Sequence, residues 1–196
     1  MIQNIIDEHI DIIDRFSKDS KTKPRLASLC HAMIKTPSTL ASGAGQTAIQ
    51  LTASALNFDA GQARNAGRIA LETIAAAASR IALGILGLVS PCSLKERGGK
   101  VNALFQCGPT STEIIGIDNF PNWKKRIFLP IAGIALSQAF IIMGLSTILD
   151  SPLKSRAAAE MKKGKHEILS GLASSIVGIA GIFNPDIISN GAAAST

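Results

Sequence analysis

The chain of 196 residues has no tyrosine and a single tryptophan, and its aromatic share is only 4%. Its apolar content is therefore Ala, Ile, Leu and Gly, which favours packed helices over sandwiches built from aromatic and Val residues. Charge is scarce as well: 17% of residues are Asp, Glu, Lys or Arg, against a usual value of about 25%. At 46% hydrophobic residues, such a chain is not disordered and has apolar surface to hide. The three cysteines, Cys30, Cys92 and Cys107, form no CxxC pair, which argues against a disulfide framework or a zinc site. Unpaired thiols are expected, with a Cys92–Cys107 bridge as the alternative in an oxidising compartment. Residues 1–16 are acidic and lack an uninterrupted apolar run, so they do not form an ordinary signal peptide.

Motifs that carry chemistry are missing too. Gly43-Ala-Gly45-Gln-Thr-Ala48 matches a loose GxGxxA pattern, but no convincing strand precedes it, so a helix start is favoured over a dinucleotide site. Around Gly98-Gly99-Lys100 the first glycine and the Ser or Thr of a phosphate loop are replaced by Leu94 and Val101. His9, His31 and His166 are far apart, and no GxSxG or HExxH run occurs. The expectation is no metal, no cofactor and no enzymatic activity. Net charge is +6, but the basic residues are dispersed and rarely neighbour aromatics, so no nucleic-acid partner is expected. Anionic lipid or an acidic partner suits the balance.

What is present is helical and apolar. Residues 2–16 place apolar side chains at helical period opposite Asp7, Glu8, Asp11 and Asp14, an amphipathic helix suited to the protein or to a protein partner. After a charged connector over 17–25, a short helix is expected over 25–35 and is broken at Thr36-Pro37. The uncharged stretch 36–58 is rich in small residues and reads as a packed helix starting near Thr39 or Gly45. Residues 62–89 read as one long helix. Its apolar part, 69–89, would measure about 32 Å. Arg80, and Glu72 one turn in, are its intramembrane charge candidates. They lie about 80° apart round the helix, so they share a broad side without touching. A polar loop, 91–126, follows, with short strands or a reentrant turn expected around 101–105 and 113–117.

Residues 127–149 are the clearest signal. Twenty-three residues carry no charge and twelve are Ile, Leu or Phe, with a helical length of about 34 Å against a hydrocarbon core of about 30 Å. Trp123, Lys124, Lys125 and Arg126 stand directly before them, as residues of the headgroup layer do. A charged connector is expected over 150–167. The uncharged run 168–183 then puts Gly171, Ser175 and Gly178 on one side, where a neighbouring helix can approach closely.

Residues 127–183, two apolar stretches joined by a charged connector, resemble the paired hydrophobic lobes of chlamydial inclusion-membrane proteins. The resemblance is one of architecture and covers under a third of the chain. Lobes in that family are joined by a short turn, whereas the expected connector here has about 18 residues. The resemblance implies secretion into a host-derived membrane, with termini that meet host proteins, and carries over no functional residue.

The expected fold is therefore all-α, a multi-helix bundle with one to three transmembrane helices. Its parts are an amphipathic N-terminal region at 1–66, a membrane region at 67–184 and a flexible tail at 185–196. The expected location is the membrane. The expected partners are the lipid bilayer and a protein that meets the N-terminal helix, with self-association allowed. The rival is a soluble all-α domain, amphitropic or pore-forming, that buries its apolar helices.

Overall fold

A computed structural model describes residues 2–17, 23–91, 94 and 120–186. Among these the protein is all-helical. Its elements are α1 (Ile2–Ser17), α2 (Lys23–Asn57), α3 (Ala60–Val89), α4 (Asn122–Asp150) and α5 (Ala157–Phe183), with a 3₁₀ turn at Ser151–Leu153. The strands or reentrant turn expected within 101–117, Cys92 and Cys107, and the tail beyond 186 lie outside the described residues.

Two expected breaks are absent. Helix α2 runs through Pro37 for 35 residues, although a proline inside a helix costs about 3 kcal/mol. It is flanked by α3 on one side and α4 on the other, so packing along its length outweighs the lost hydrogen bond. The charged connector after α4 is also mostly helix, since α5 begins at Ala157. Ala157, Ala158 and Ala159 are strong helix formers, and Glu160 in the first turn suits the positive end of the helix dipole. The link between α4 and α5 therefore shrinks to residues 151–156, and α5 has 27 residues rather than 16. Helix α4 begins at Asn122, ahead of its apolar run, so Pro130 lies in the helix interior and not in its first turn.

The tight α2–α3 turn is set locally. Phe58 takes a left-handed φ of 54°. Asp59 caps α3 by accepting from the amides of Gly61 at 2.7 Å and Gln62 at 3.4 Å, as Asp does at helix N-termini.

The long helices lie side by side in the order α3, α2, α4, α5, and α1 rests across α2 and α3 at one end. Direction follows from the contacts. Thr73 packs on Gly43 and Gly84 on Ala32, so α2 and α3 are antiparallel. Gly45 packs on Ala135 and Ala139, while Lys35 donates to Thr147 at 3.2 Å, so α2 and α4 are antiparallel too. Helices α3 and α4 thus point the same way. Consequently Ser90 lies at the α1 end and Phe120 at the far end.

Side chains are sorted in an unusual manner. Every buried residue of α5 is a glycine: Gly164, Gly171, Gly178 and Gly181. In α4 the buried set includes Ala132, Gly133, Ser137, Ala139, Gly144, Ser146 and Thr147. Large aliphatics face outward instead, among them Ile131, Ile134, Ile142 and Leu149 of α4 and Leu169, Ile176 and Ile179 of α5. Among the described residues, the larger buried apolar side chains gather in two clusters towards the ends. One joins Ile5, Ile6 and Ile13 to Leu83 and Leu94, and the other joins Ala53 to Phe120, Phe128 and Leu129.

Candidate functional site

Two features carry chemical information: the apolar exterior of the α4–α5 hairpin, and a buried ionic cluster at the α1 end.

The hairpin closes backbone to backbone. A methyl group on Gly178 would lie 2.9 Å from the Cα of Gly133, and one on Gly171 would lie 2.9 Å from the carbonyl oxygen of Ser137. Gly144 and Gly164 are equally close to each other. Helices approach this closely only where side chains are minimal, and interhelical contact in lipid is built in that way. Ser175, grouped with Gly171 and Gly178 by spacing, is only half-buried. Gly164 and Gly181 belong to the contact and were not singled out from the sequence. The seven-residue spacing of 164, 171 and 178 is the signal that marks the first of them.

The residues expected at a headgroup layer lie at the far end of α4. Trp123 and Arg126 are exposed, and the Lys124 ammonium sits 5.6 Å from the Trp123 ring centre and donates to Asn57 at 2.9 Å. Lys125 is buried and pairs with Asp186 at 3.1 Å. It therefore ties α4 to the end of α5 rather than reaching into solvent.

Glu72 and Arg80 find separate partners. Glu72 pairs with Arg68 one turn earlier, at 3.1 Å. Thr73 beside Gly43, and Gly45 beside Ala135 and Ala139, place that pair abreast of the middle of α4. Arg80 donates to Thr39 at 2.9 Å and to Glu8 of α1 at 3.1 Å.

Glu8 is the centre of the second feature. Its Oε2 lies 3.1 Å from Arg80 Nη1 and 3.4 Å from His31 Nε2, and its Oε1 lies 3.5 Å from Lys154 Nζ. His31 is fully buried, and its Nδ1 lies 2.7 Å from Asp150 Oδ1. Both ring nitrogens thus face carboxylates, and only the doubly protonated ring donates to both. Lys35 at 4.0 Å and Lys154 at 3.9 Å approach the other Asp150 oxygen, and Lys154 also reaches Glu160 at 4.0 Å. Arg15 of α1 donates to the Lys154 carbonyl. Burial pushes the Glu8 carboxyl up, but His31, Arg80 and Lys154 together outweigh it and hold the group well below the usual carboxylate range. His9 stacks edge-on to His31 at 4.8 Å, and its Nδ1 lies 3.1 Å from Ser28 Oγ. Burial, then the charges of His31 and Arg80, push its pKa down to about 3.

The cluster was not legible in the sequence, because its members come from α1, α2, α3, α4 and the turn that follows. Acid and base groups do converge here. The His9–Ser28 pair has the spacing of a base and a nucleophile, but both side chains are fully buried. Among the described residues no group of three His, Cys, Asp or Glu side chains is arranged to hold a metal ion. An open groove of about 380 Å³ runs between α1 and the α4–α5 turn, lined by Asp7, Glu8, Asp11, Lys154, Ser155, Arg156 and Glu160.

Among the described residues three helices, α3, α4 with its 3₁₀ turn, and α5, are long and apolar enough to cross a membrane. Comparison with protein-family models, curated proteins and solved structures finds no match to the chain.

Proposed function

We propose that the protein is a non-enzymatic helical membrane protein whose α4–α5 hairpin is the crossing unit, with a structural or interaction role. The observation that carries this reading is the sorting of side chains in the hairpin. Glycine, alanine and serine predominate among the buried residues, while Ile131, Ile134, Ile142, Leu145 and Leu149 of α4 and Leu169, Leu172, Ile176 and Ile179 of α5 face out. Phe128 and Leu129, near the start of α4, are buried. In water this arrangement leaves a broad apolar surface uncovered, whereas in lipid it is the expected one. The twelve Ile, Leu and Phe residues of 127–149 favour insertion by about 4–7 kcal/mol on translocon-derived scales.

Helix α3 fits lipid less well, because the Arg68–Glu72 pair is level with the middle of α4. Its neutralisation within one helix lowers the cost of that depth. The apolar face of α1, with Ile5, Ile6, Ile12 and Ile13, is buried inside the protein. A partner that meets α1 would therefore find Asp7 and Asp11 on the exposed side. The test is alkaline carbonate extraction of membranes from cells that express the full chain. Retention in the pellet is expected. Release into the supernatant would leave the soluble, amphitropic domain as the working description.

A further inference from the structure

Three groups from three separate elements converge on one carboxylate: His31 from α2, Arg80 from α3 and Lys154 from the α4–α5 turn. The carboxylate belongs to Glu8 of α1, which among the described helices has the fewest contacts with the others. Such convergence of an arginine, a lysine and an imidazole is the donor set that proteins use for phosphate and carboxylate anions. His31 Nε2 is fully buried, is aimed at the Glu8 oxygen from 3.4 Å and makes no hydrogen bond. Nδ1 faces the Asp150 carboxylate, so Nε2 serves an anion as a donor in the doubly protonated ring.

From these contacts we infer that His31, Arg80 and Lys154 form an anion-binding site in which Glu8 is a built-in stand-in for an external phosphate-type oxyanion. The charge balance supports it. Without Glu8 the surrounding ionic groups are Arg80, Lys154, Lys35 and His31 against Asp150 and Glu160. With the imidazole doubly protonated, as donation from both ring nitrogens requires, that set is positive by two units. An anion of one or two charges restores the present balance or improves it. Glu8 and Lys154 both line the groove between α1 and the α4–α5 turn, whose other charged residues are Asp7, Asp11 and Glu160 against Arg156, and Arg80 and His31 lie beneath Glu8. The phosphate can be free in solution or belong to a lipid headgroup, since the same donors recognise both.

The inference stands whether or not the hairpin crosses a bilayer. Its test uses the full chain in uncharged detergent, as the unaltered protein, as Glu8→Ala and as Glu8→Ala with Arg80→Gln. Inorganic phosphate is titrated calorimetrically, and binding to phosphatidylcholine vesicles is compared with and without phosphatidic acid. Glu8→Ala should bind one of the two probes about tenfold more tightly than the unaltered protein, and Arg80→Gln should cancel the gain. A gain with inorganic phosphate identifies a free anion, and a gain confined to phosphatidic acid identifies a headgroup. A folded Glu8→Ala protein that gains neither overturns the proposal. Should Glu8→Ala not fold, hydrogen exchange of the unaltered protein decides. Phosphate should speed exchange of α1 amides more than chloride at equal ionic strength, and equal rates would overturn the proposal.

Discussion

Gly133 and Gly178 meet so closely across the hairpin that a methyl group on Gly133 would lie 2.6 Å from the Gly178 Cα. The obstacle is backbone rather than a flexible side chain, so neither helix can yield locally. Separation of α4 from α5 would be required, which also breaks the neighbouring contacts of Gly171 with Ser137 and of Gly144 with Gly164.

Substitution should therefore discriminate sharply between positions on the same helix. Gly178→Val is expected to destabilise the protein by about 1–3 kcal/mol through overpacking. That would lower the thermal midpoint in detergent by several degrees. Ser175→Val, three residues away and only half-buried, should change it little. Equal effects at the two positions would mean that the glycines do not set the helix distance.

The difference between Gly178 and Ser175 also marks how far the sequence can be read. The apolar runs of α3, α4 and α5 are visible because lipid-length helices leave a long, charge-poor record. Small residues at helical spacing say that some helix comes near, but not which of them faces it. Spacing alone grouped Ser175 with the glycines and passed over Gly164, which lies within the charged segment. Pro37 misled for a related reason: local propensity predicts a break, and only the flanking α3 and α4 override it. Of the ionic cluster only Arg80 stood out, as a charge within an apolar helix; Glu8, His31 and Asp150 are far apart in sequence, and nothing in their spacing joins them to it.

Burial of His9 makes stability depend on pH in a definite direction. Its folded pKa of about 3 lies below the ordinary 6.5, so between those values the unfolded chain binds more protons than the folded one. Stability is fully present above about pH 6.5 and falls as pH drops, by up to about 1.4 kcal/mol per unit. Urea midpoints at pH 7 and pH 5 should thus differ, with a loss of roughly 2 kcal/mol from this residue. In His9→Phe that part of the slope should vanish. An unchanged slope would mean that the imidazole is not held neutral.

Glu8 adds a second loss at lower pH. Its carboxyl is held below its ordinary value of 4.5, so its contribution is fully present above that pH and fades below it. Hydrogen exchange in α1 should accelerate as pH falls under 4.5, after correction for the intrinsic pH dependence of exchange. Glu8→Gln should show fast α1 exchange already at pH 7, with no further acid step from this residue. Retained protection of α1 in that variant would mean that its isoleucines alone hold it in place.

Asp150 tests whether the buried network is a tie between helices or a passive neighbour. It is fully buried and faces His31, Lys35 and Lys154. Asp150→Ala removes the carboxylate that faces His31 Nδ1 and the buried Lys35, and breaking a buried ion pair from one side typically costs about 3–5 kcal/mol. Asp150→Asn keeps the shape and one acceptor for His31, so its cost should be clearly smaller. Chemical denaturation of both variants gives the ordering, and equal losses would assign the role of Asp150 to its charge alone rather than to its shape and acceptor.

The direction of the helices makes a prediction about sidedness that composition could not. Helix α4 runs from Asn122 to the turn at residues 151–156, and α5 returns to Asp186 beside Lys125. If the hairpin crosses the bilayer, a cysteine at Asn122 and one at Asp186 should be labelled from one side by an impermeant maleimide, and one at Ser155 from the other. Helix α3 runs parallel to α4, so a cysteine at Ser90 should label with Ser155, and one at Asn57, which binds Lys124 at 2.9 Å, with Asn122. These comparisons need a background in which Cys30, Cys92 and Cys107 are replaced by serine. Ser90 labelling with Asn122 would mean that α3 leaves its place against α2 and α4 once the hairpin enters lipid. Asn122 and Ser155 labelling from the same side would remove the crossing itself, because no helix of this length can lie between two groups on one face and still span.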